Sequence, residues 1–312
     1  MCGEQNDVVL GVKTFFVAPE LSLVPEDFLK SFFMNGFETY FLDDDPYCAL
    51  QDKIKVLFSL FPEVILFFNI DRQVHGIDWP VFIGNLQTTY KERAMIGVLY
   101  RKKNNQDEIK RLERLYLYDI GIVCGCVPIE YQKAKNLYLL MNVLSANQAN
   151  GQRKFLRAIC DDSCKVNMEH QGSRYQGVVR DISISHFSCV FIGIIPDLVM
   201  HQKISDIQMN LKGVICKITG ILCLKRILGN DHIHVFIFRN ADDRDGLKAE
   251  HLVKINNLIV SSYTNSVNTL LKTEFEKKRT TLSKRISVSA GEIQIVNPVC
   301  EPLEELQELT AE

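Results

Sequence analysis

The sequence predicts a chain of two halves, a parallel-sheet α/β half followed by a six-stranded antiparallel β barrel with C-terminal helices. Three observations lead there. Short, wholly apolar runs alternate with longer amphipathic runs from about residue 8 to 145. A polar break, Asn147-Gln148-Ala149-Asn150-Gly151-Gln152, then interrupts the chain. Beyond it, apolar and polar residues alternate along short segments between turn signals. A strand covered on both faces is apolar throughout, whereas a strand with one wet face alternates.

In the first half, Val8–Val17, Phe37–Leu42, Val64–Phe68, Met95–Tyr100 and Tyr118–Val123 read as five buried strands. Between them, Glu26–Phe33, Ala49–Phe61, Val81–Tyr90, Gln106–Leu115 and Tyr131–Ser145 have helical spacing. Leu137, Leu140, Met141 and Leu144 fall on one face of the last of these. Repeated strand-then-helix units build a parallel sheet with helices on both faces.

The order of these units resembles a flavodoxin-like or receiver fold. A working receiver would need acids at the end of its first strand, a phosphorylatable aspartate after the third and a lysine after the fifth. Here the first strand ends Phe15-Phe16-Val17-Ala18-Pro19, with no carboxylate for magnesium. The third ends Phe68-Asn69-Ile70-Asp71, so Asn69 stands at the acceptor place. No lysine occurs in Cys124-Gly125-Cys126-Val127-Pro128. Asp71 is an alternative acceptor and the run Asp43-Asp44-Asp45 an alternative source of charge, but a solvated turn is the favoured reading of each. The expectation is a receiver-like scaffold without phosphotransfer chemistry.

In the second half, Ala158–Val166, Tyr175–Ile184, Ser188–Gly193, Gln208–Lys217, Thr219–Ile227 and His232–Arg239 read as six strands. Leu228-Gly229-Asn230-Asp231 is a hairpin turn signal. A helix follows at about Gly246–Ile259, and the spacing of Val267, Leu270, Leu271 and Phe275 predicts another. The expected domains are 1–146, 147–262 with the arginine-bearing linker, and a helix with a charged, partly disordered tail at 263–312.

The residues that point to a ligand open this half. Arg153-Lys154-Phe155-Leu156-Arg157 is followed by Asp181-Ile182-Ser183-Ile184-Ser185-His186 at a strand junction. An RxxxR followed by D/NxSxxG on a six-stranded barrel resembles the PilZ family, receptors for the bacterial second messenger cyclic di-GMP. Gly213 to Phe238 and Ala241-Asp242-Asp243-Arg244 resemble that family's closing strands and helix, so the likeness spans about 151–260. It implies cyclic di-GMP binding by Arg153, Arg157, Asp181 and Ser183, with His186 beside them. The chemistry agrees: a guanidinium matches paired guanine acceptors or phosphate oxygens bidentately, and a carboxylate accepts from a guanine edge. Two departures stand out. His186 occupies the motif's last glycine, where a tight turn and close backbone approach are expected, so weaker binding follows. Gln152 stands where a basic residue often precedes the first arginine.

Other combinations carry less. His232 and His234 share a strand face but lack further ligands nearby in sequence, and Asp242, Asp243 and Asp245 do not have EF-hand spacing. Cys189 or Cys160 with His186 would make a nucleophile and base, but no orienting residue is recognisable. Trp79 reads as core. The ten cysteines lie mostly in apolar runs and lack paired CxxC spacing, so they read as reduced thiols rather than a zinc site.

The 36 basic and 38 acidic residues give a net charge of -2, against a general nucleic-acid polymer binder. No signal peptide or membrane-spanning run is recognisable. Taken with the resemblance to the PilZ family, the expectation is a cytoplasmic bacterial signalling protein, not an enzyme, with no cofactor or membrane insertion. The resemblance implies that it senses cyclic di-GMP and relays it to an unidentified signalling or motility protein by rearranging its linker. The alternative is a degenerate interaction scaffold that binds no nucleotide.

Overall fold

The computed structural model describes residues 11–45, 48–240 and 246–289, with side chains through 277. The expectations at Asp242, Asp243 and Asp245 and for residues 290–312 of the charged tail lie outside these residues. The chain divides into two compact units, at Leu271 and Lys272.

The first half is a parallel sheet of β1 (Lys13–Val17), β2 (Thr39–Leu42), β3 (Val64–Asn69), β4 (Ala94–Arg101) and β5 (Cys126–Ile129), in the order β2-β1-β3-β4-β5. That is the doubly wound order of flavodoxin-like folds. The helices are α1 (Asp27–Met34), α2 (Leu50–Leu60), α3 (Trp79–Thr89), α4 (Gln106–Glu113) and α5 (Lys133–Ala146). All six residues of the central β3 are buried, as its uninterrupted apolar run requires. Phe16, Phe32 and Phe67 stack at 5.6 and 5.7 Å in the core on one face. Trp79 is core, packed on Phe68, with its indole N–H donating to the Arg72 carbonyl at 2.8 Å.

The fifth strand corrects the sequence expectation. Tyr118–Val123 forms no strand; α4 instead runs on as a π-helical turn, Arg114–Ile120. Only Tyr116 of that turn is buried, while Tyr118 is 81% exposed, so its apolar composition does not reflect a core position. Gly121, at φ 81°, ends the turn by returning its N–H to the Tyr116 carbonyl. The true strand begins after Gly125 and contains Pro128, which has no N–H to donate and is tolerated because β5 is an edge.

The second half is a closed barrel. Its strands are β6 (Ala158–Ile159), β7 (Lys165–His170), β8 (Ser173–Ile182), β9 (His186–Phe191), β10 (Lys203–Leu211), β11 (Val214–Leu228) and β12 (Asp231–Arg239). Six of them run β8-β7-β10-β11-β12-β9, and β9 pairs back onto β8 to close the ring. Phe187 stacks on Phe236 and Phe238 at 5.2 and 5.6 Å inside it. The turn predicted at Gly229-Asn230 joins β11 to β12.

Two expected strands are broken. Ala158–Val166 is interrupted by a loop at Cys160–Cys164, and Gln208–Lys217 reverses at Lys212 and Gly213, both at positive φ. The Asn210 side chain accepts the Gly213 N–H at 2.9 Å and stabilises that reversal. The two expected C-terminal helices are one, α6 (Ala249–Ser289), because nothing between them stops a helix.

Candidate functional site

The polar segment between the halves is an ordered strap. Phe37 and Asn150 form a β-bridge, and Leu156 is buried. Gly36, at φ 83°, follows α1; a Cβ there would lie 2.9 Å from the Lys154 carbonyl oxygen, so only glycine lets the strap pass so close. Tyr263 of α6 donates its hydroxyl to the Arg157 carbonyl at 3.0 Å and packs edge-on against Phe33 of α1 at 5.4 Å. Asn256 of α6 donates to the Lys30 carbonyl at 3.0 Å. The chain that carries the two arginines is thus gripped by both α1 and α6.

From this strap, Arg157 enters β6, whose residues Ala158 and Ile159 pair with Ile182 and Asp181 of β8. That register sets the Arg157 guanidinium beside the Asp181 carboxylate, with Nη1 and Oδ1 3.8 Å apart. This is an ion pair longer than a hydrogen bond. The other Asp181 oxygen accepts from Ser188 of β9 at 2.6 Å. Ser188 is buried and fixes the carboxylate rotamer.

Ser183 is fully buried in the turn between β8 and β9. Its hydroxyl oxygen accepts the N–H groups of Ser185 and His186 at 3.3 and 3.1 Å. It also lies 3.1 Å from His186 Nδ1. Ser185 Oγ sits 2.7 Å from the same ring nitrogen. His186 opens β9 in register with Ile237 as ordinary strand, so the histidine is free of the positive φ that its place in the motif suggested. Its side chain occupies the space that a glycine would leave.

Three polar atoms of this cluster are buried without a hydrogen-bond partner: Arg157 Nε, Asp181 Oδ1 and His186 Nε2. Leaving a buried donor or acceptor unmatched costs about 1–3 kcal/mol. Burial lowers the His186 pKa, and Arg157 lowers it further while Asp181 opposes. Burial likewise lowers that of Arg157, with Asp181 opposing and Arg153 and Arg226 adding to the effect. Arg153 itself is exposed. The structure therefore brings together Arg153, Arg157, Asp181 and His186, with Ser183 beneath the imidazole. Sequence reading missed Ser188, Arg226, Cys223 and Tyr263. Only strand pairing and helix packing bring these residues near, and no local spacing signals them.

The remaining candidates are accounted for otherwise. His234 is buried with Nδ1 3.1 Å from the His232 carbonyl, and no group of three or more metal-ligating side chains occurs among the described residues. Cys189 is fully buried, and its thiol is pushed far above its ordinary range. At the carboxyl edge of the parallel sheet, Asp71 accepts the Arg101 N–H, Asp43 pairs with Arg72 at 2.7 Å, and Glu20 pairs with Arg101 at 2.9 Å. Asn69 is buried, its side-chain oxygen taken by the Asp71 N–H at 3.3 Å. Glu130, which follows β5, is held by Lys102 and Lys135. Among the described residues, no helix is long and apolar enough to cross a membrane.

The chain is similar to solved PilZ-domain structures. The PilZ domain of YcgR from Escherichia coli with c-di-GMP is 14% identical, covering 38% of this chain and 96% of that one, at a TM-score of 0.31. PlzA of Borreliella burgdorferi, in complex with c-di-GMP, is 17% identical over 41% of this chain, at a TM-score of 0.25. MrkH of K. pneumonia is 12% identical over 39% of this chain, at a TM-score of 0.32. The chain spans only 48% of that PlzA structure and 55% of that MrkH structure. No protein-family model and no curated protein matches it.

Proposed function

We propose that this protein is a receptor for cyclic di-GMP that signals without catalysis, its ligand seated at the mouth of the barrel. One observation carries the reading: the motif residues Arg157, Asp181 and His186 each present a buried polar atom without a partner, from three segments that converge. The ligand offers what those atoms lack. Its phosphates and guanine O6/N7 edges accept from the guanidinium of Arg157, and the exposed Arg153 closes over the other side. Asp181 Oδ1, aimed by Ser188, accepts from guanine N1–H and N2–H₂. With Ser185 donating to Nδ1, the neutral imidazole carries its proton on Nε2 and donates to the ligand. Ser183 supports the site by holding the His186 backbone and ring.

Binding and relay are then one event. Arg157 swings from its loose pair with Asp181 onto the ligand, and the strap leaves the Tyr263 hydroxyl. The packing of α6 on α1 changes with it, and a partner protein reads the changed surface. The specific observation that favours the alternative, a closed scaffold, is the half-buried His186 ring standing where the motif has glycine.

Calorimetry with cyclic di-GMP decides between the two. Micromolar or tighter binding by the wild type, lost in Arg153→Ala/Arg157→Ala, supports the receptor. Binding seen only in His186→Gly supports a pocket closed by one side chain, and silence from both proteins supports the scaffold. Hydrogen exchange then tests the relay: added ligand should deprotect Arg157 to Ile159 and the α6 turn around Tyr263, and unchanged exchange at both would overturn it.

A further inference from the structure

The barrel holds a pair of thiols whose placement is unexplained by nucleotide binding. The β6 and β7 strands lie along the same edge of β8, as though one strand had been interrupted. Ile159 pairs with Asp181 and Lys165 with Val178, so five residues, 160–164, stand opposite two, Val179 and Arg180. The excess loops out. Its neck is tied at both ends, by the Cys160 N–H to the Arg180 carbonyl at 2.8 Å and by the Val179 N–H to the Cys164 carbonyl at 2.9 Å. Two cysteines anchored to consecutive residues of one strand are held side by side, and both line one small cavity.

The loop is also turned tightly. Asp161 accepts the Ser163 N–H at 3.0 Å through its carboxylate and the Cys164 N–H at 3.0 Å through its carbonyl. Both cysteines line a cavity of about 60 Å³ that Lys212 and α6 residues also line. That volume holds about two waters, and so a molecule the size of hydrogen peroxide. Cys164 is buried and Cys160 half-buried, so an oxidant meets Cys160 first. Lys212, paired with Asp161 at 3.0 Å, sets an ammonium beside the two thiols.

We propose that Cys160 and Cys164 are a redox modification site, closing to an intramolecular disulfide in response to a hydroperoxide. The Cys160 thiolate attacks the O–O bond, giving Cys160 sulfenic acid and, with hydrogen peroxide, one water. The Cys164 sulfur then displaces the sulfenic hydroxyl as a second water, forming the S–S bond. The thiols lose two electrons and two protons in all, and the peroxide takes up both. Burial, followed by the neighbouring Cys164 and the Asp181 and Asp161 carboxylates, pushes the Cys160 thiol up. The thiolate is therefore scarce at neutral pH, and the site answers sustained rather than brief oxidant. This assignment stands apart from the nucleotide reading, because it needs only the two sulfurs. The disulfide closes the loop at its neck, on the β8 residues that immediately precede Asp181.

Trypsin cuts after Arg157 and Lys165, releasing Ala158–Lys165, which carries both cysteines. The full-length protein is exposed to hydrogen peroxide for graded times, unfolded with excess maleimide and digested. The expected product is this peptide about 2 Da lighter than the reduced form and carrying no maleimide. Treatment with dithiothreitol before maleimide should restore double labelling. Cys164→Ser should leave Cys160 trapped as a sulfenic acid that a dimedone probe labels, a result independent of any change in folding at the disulfide step. Cys216→Ser should leave wild-type closure unchanged. The proposal is overturned if the peptide stays doubly labelled at exposures that oxidise Cys48, or if wild-type Cys160 advances to sulfinic acid without joining Cys164.

Discussion

Two places in this molecule gather acids and arginines, and they differ in one respect. At the carboxyl edge of the parallel sheet, Asp43, Asp71 and Glu20 are each matched by Arg72, a backbone N–H or Arg101. Among the described residues there, the buried amide nitrogen of Asn69 is an orphan. At the barrel mouth, Arg157 and Asp181 approach only to 3.8 Å, and an unmatched atom remains on each and on His186. The first arrangement pairs its charges and holds its turns. The second is incomplete and gains by taking a polar guest. Hydrogen-bond saturation thus separates structural charge from available charge where residue type alone does not.

The sharpest way to break this comparison is to remove charge from each place in turn. Arg153→Ala/Arg157→Ala should weaken cyclic di-GMP binding at least a hundredfold, since a hydrogen bond to a charged group contributes about 1.5–3 kcal/mol. Asp43→Asn, at the sheet edge, should leave affinity unchanged within about twofold and lower thermal stability slightly, as an exposed pair should. Calorimetry on the two proteins checks both. Equal losses would mean that the sheet edge takes part in binding.

The same comparison shows what was legible in the sequence. The wholly apolar β3 announced a buried parallel strand, and Gly229-Asn230 announced its hairpin, because each signal is local. Arg153, Arg157, Asp181, Ser183 and His186 could be grouped through motif spacing. Their differing circumstances could not be read. That Ser183 lies inside a turn, or that Ser188 aims Asp181, depends on the β8–β9 register. Tyr118–Val123 misled because exposed aromatic residues mimic a strand's composition. The loop inside Ala158–Val166 was hidden for a related reason: an outlooping residue need not change the apolar pattern at either end.

Two substitutions of intermediate effect sharpen the account. Ser188→Ala leaves one Asp181 oxygen without its donor and should weaken binding about fivefold, near 1 kcal/mol. If Ser188 acts only through Asp181, it should cost nothing further in an Asp181→Asn background, a double-mutant cycle read by calorimetry. Tyr263→Phe removes the hydroxyl that holds the Arg157 carbonyl. Its melting temperature should fall while its affinity rises up to about fivefold, because the strap no longer loses that bond, worth about 1 kcal/mol, on moving to the ligand. Weaker binding in Tyr263→Phe would place the hydroxyl bond in the bound state and overturn the proposed swing.

The smallest expected effect is a dependence on pH. Burial, reinforced by Arg157, holds the His186 pKa below its ordinary value, so the folded protein keeps the ring neutral where the unfolded chain begins to protonate. A depressed histidine pKa costs nothing well above the unfolded value of about 6.5. As pH falls through that value, the unfolded state binds the proton first and stability is lost, until the folded ring protonates as well. Wild-type melting temperature should therefore fall more between about pH 7.5 and 5.5 than that of His186→Gln. His234 and His251 are lowered by burial too, but both proteins contain them, so the difference isolates His186. Parallel curves would show an imidazole that gains its proton equally in both states, and the unpartnered Nε2 would then face water rather than a site prepared for a guest.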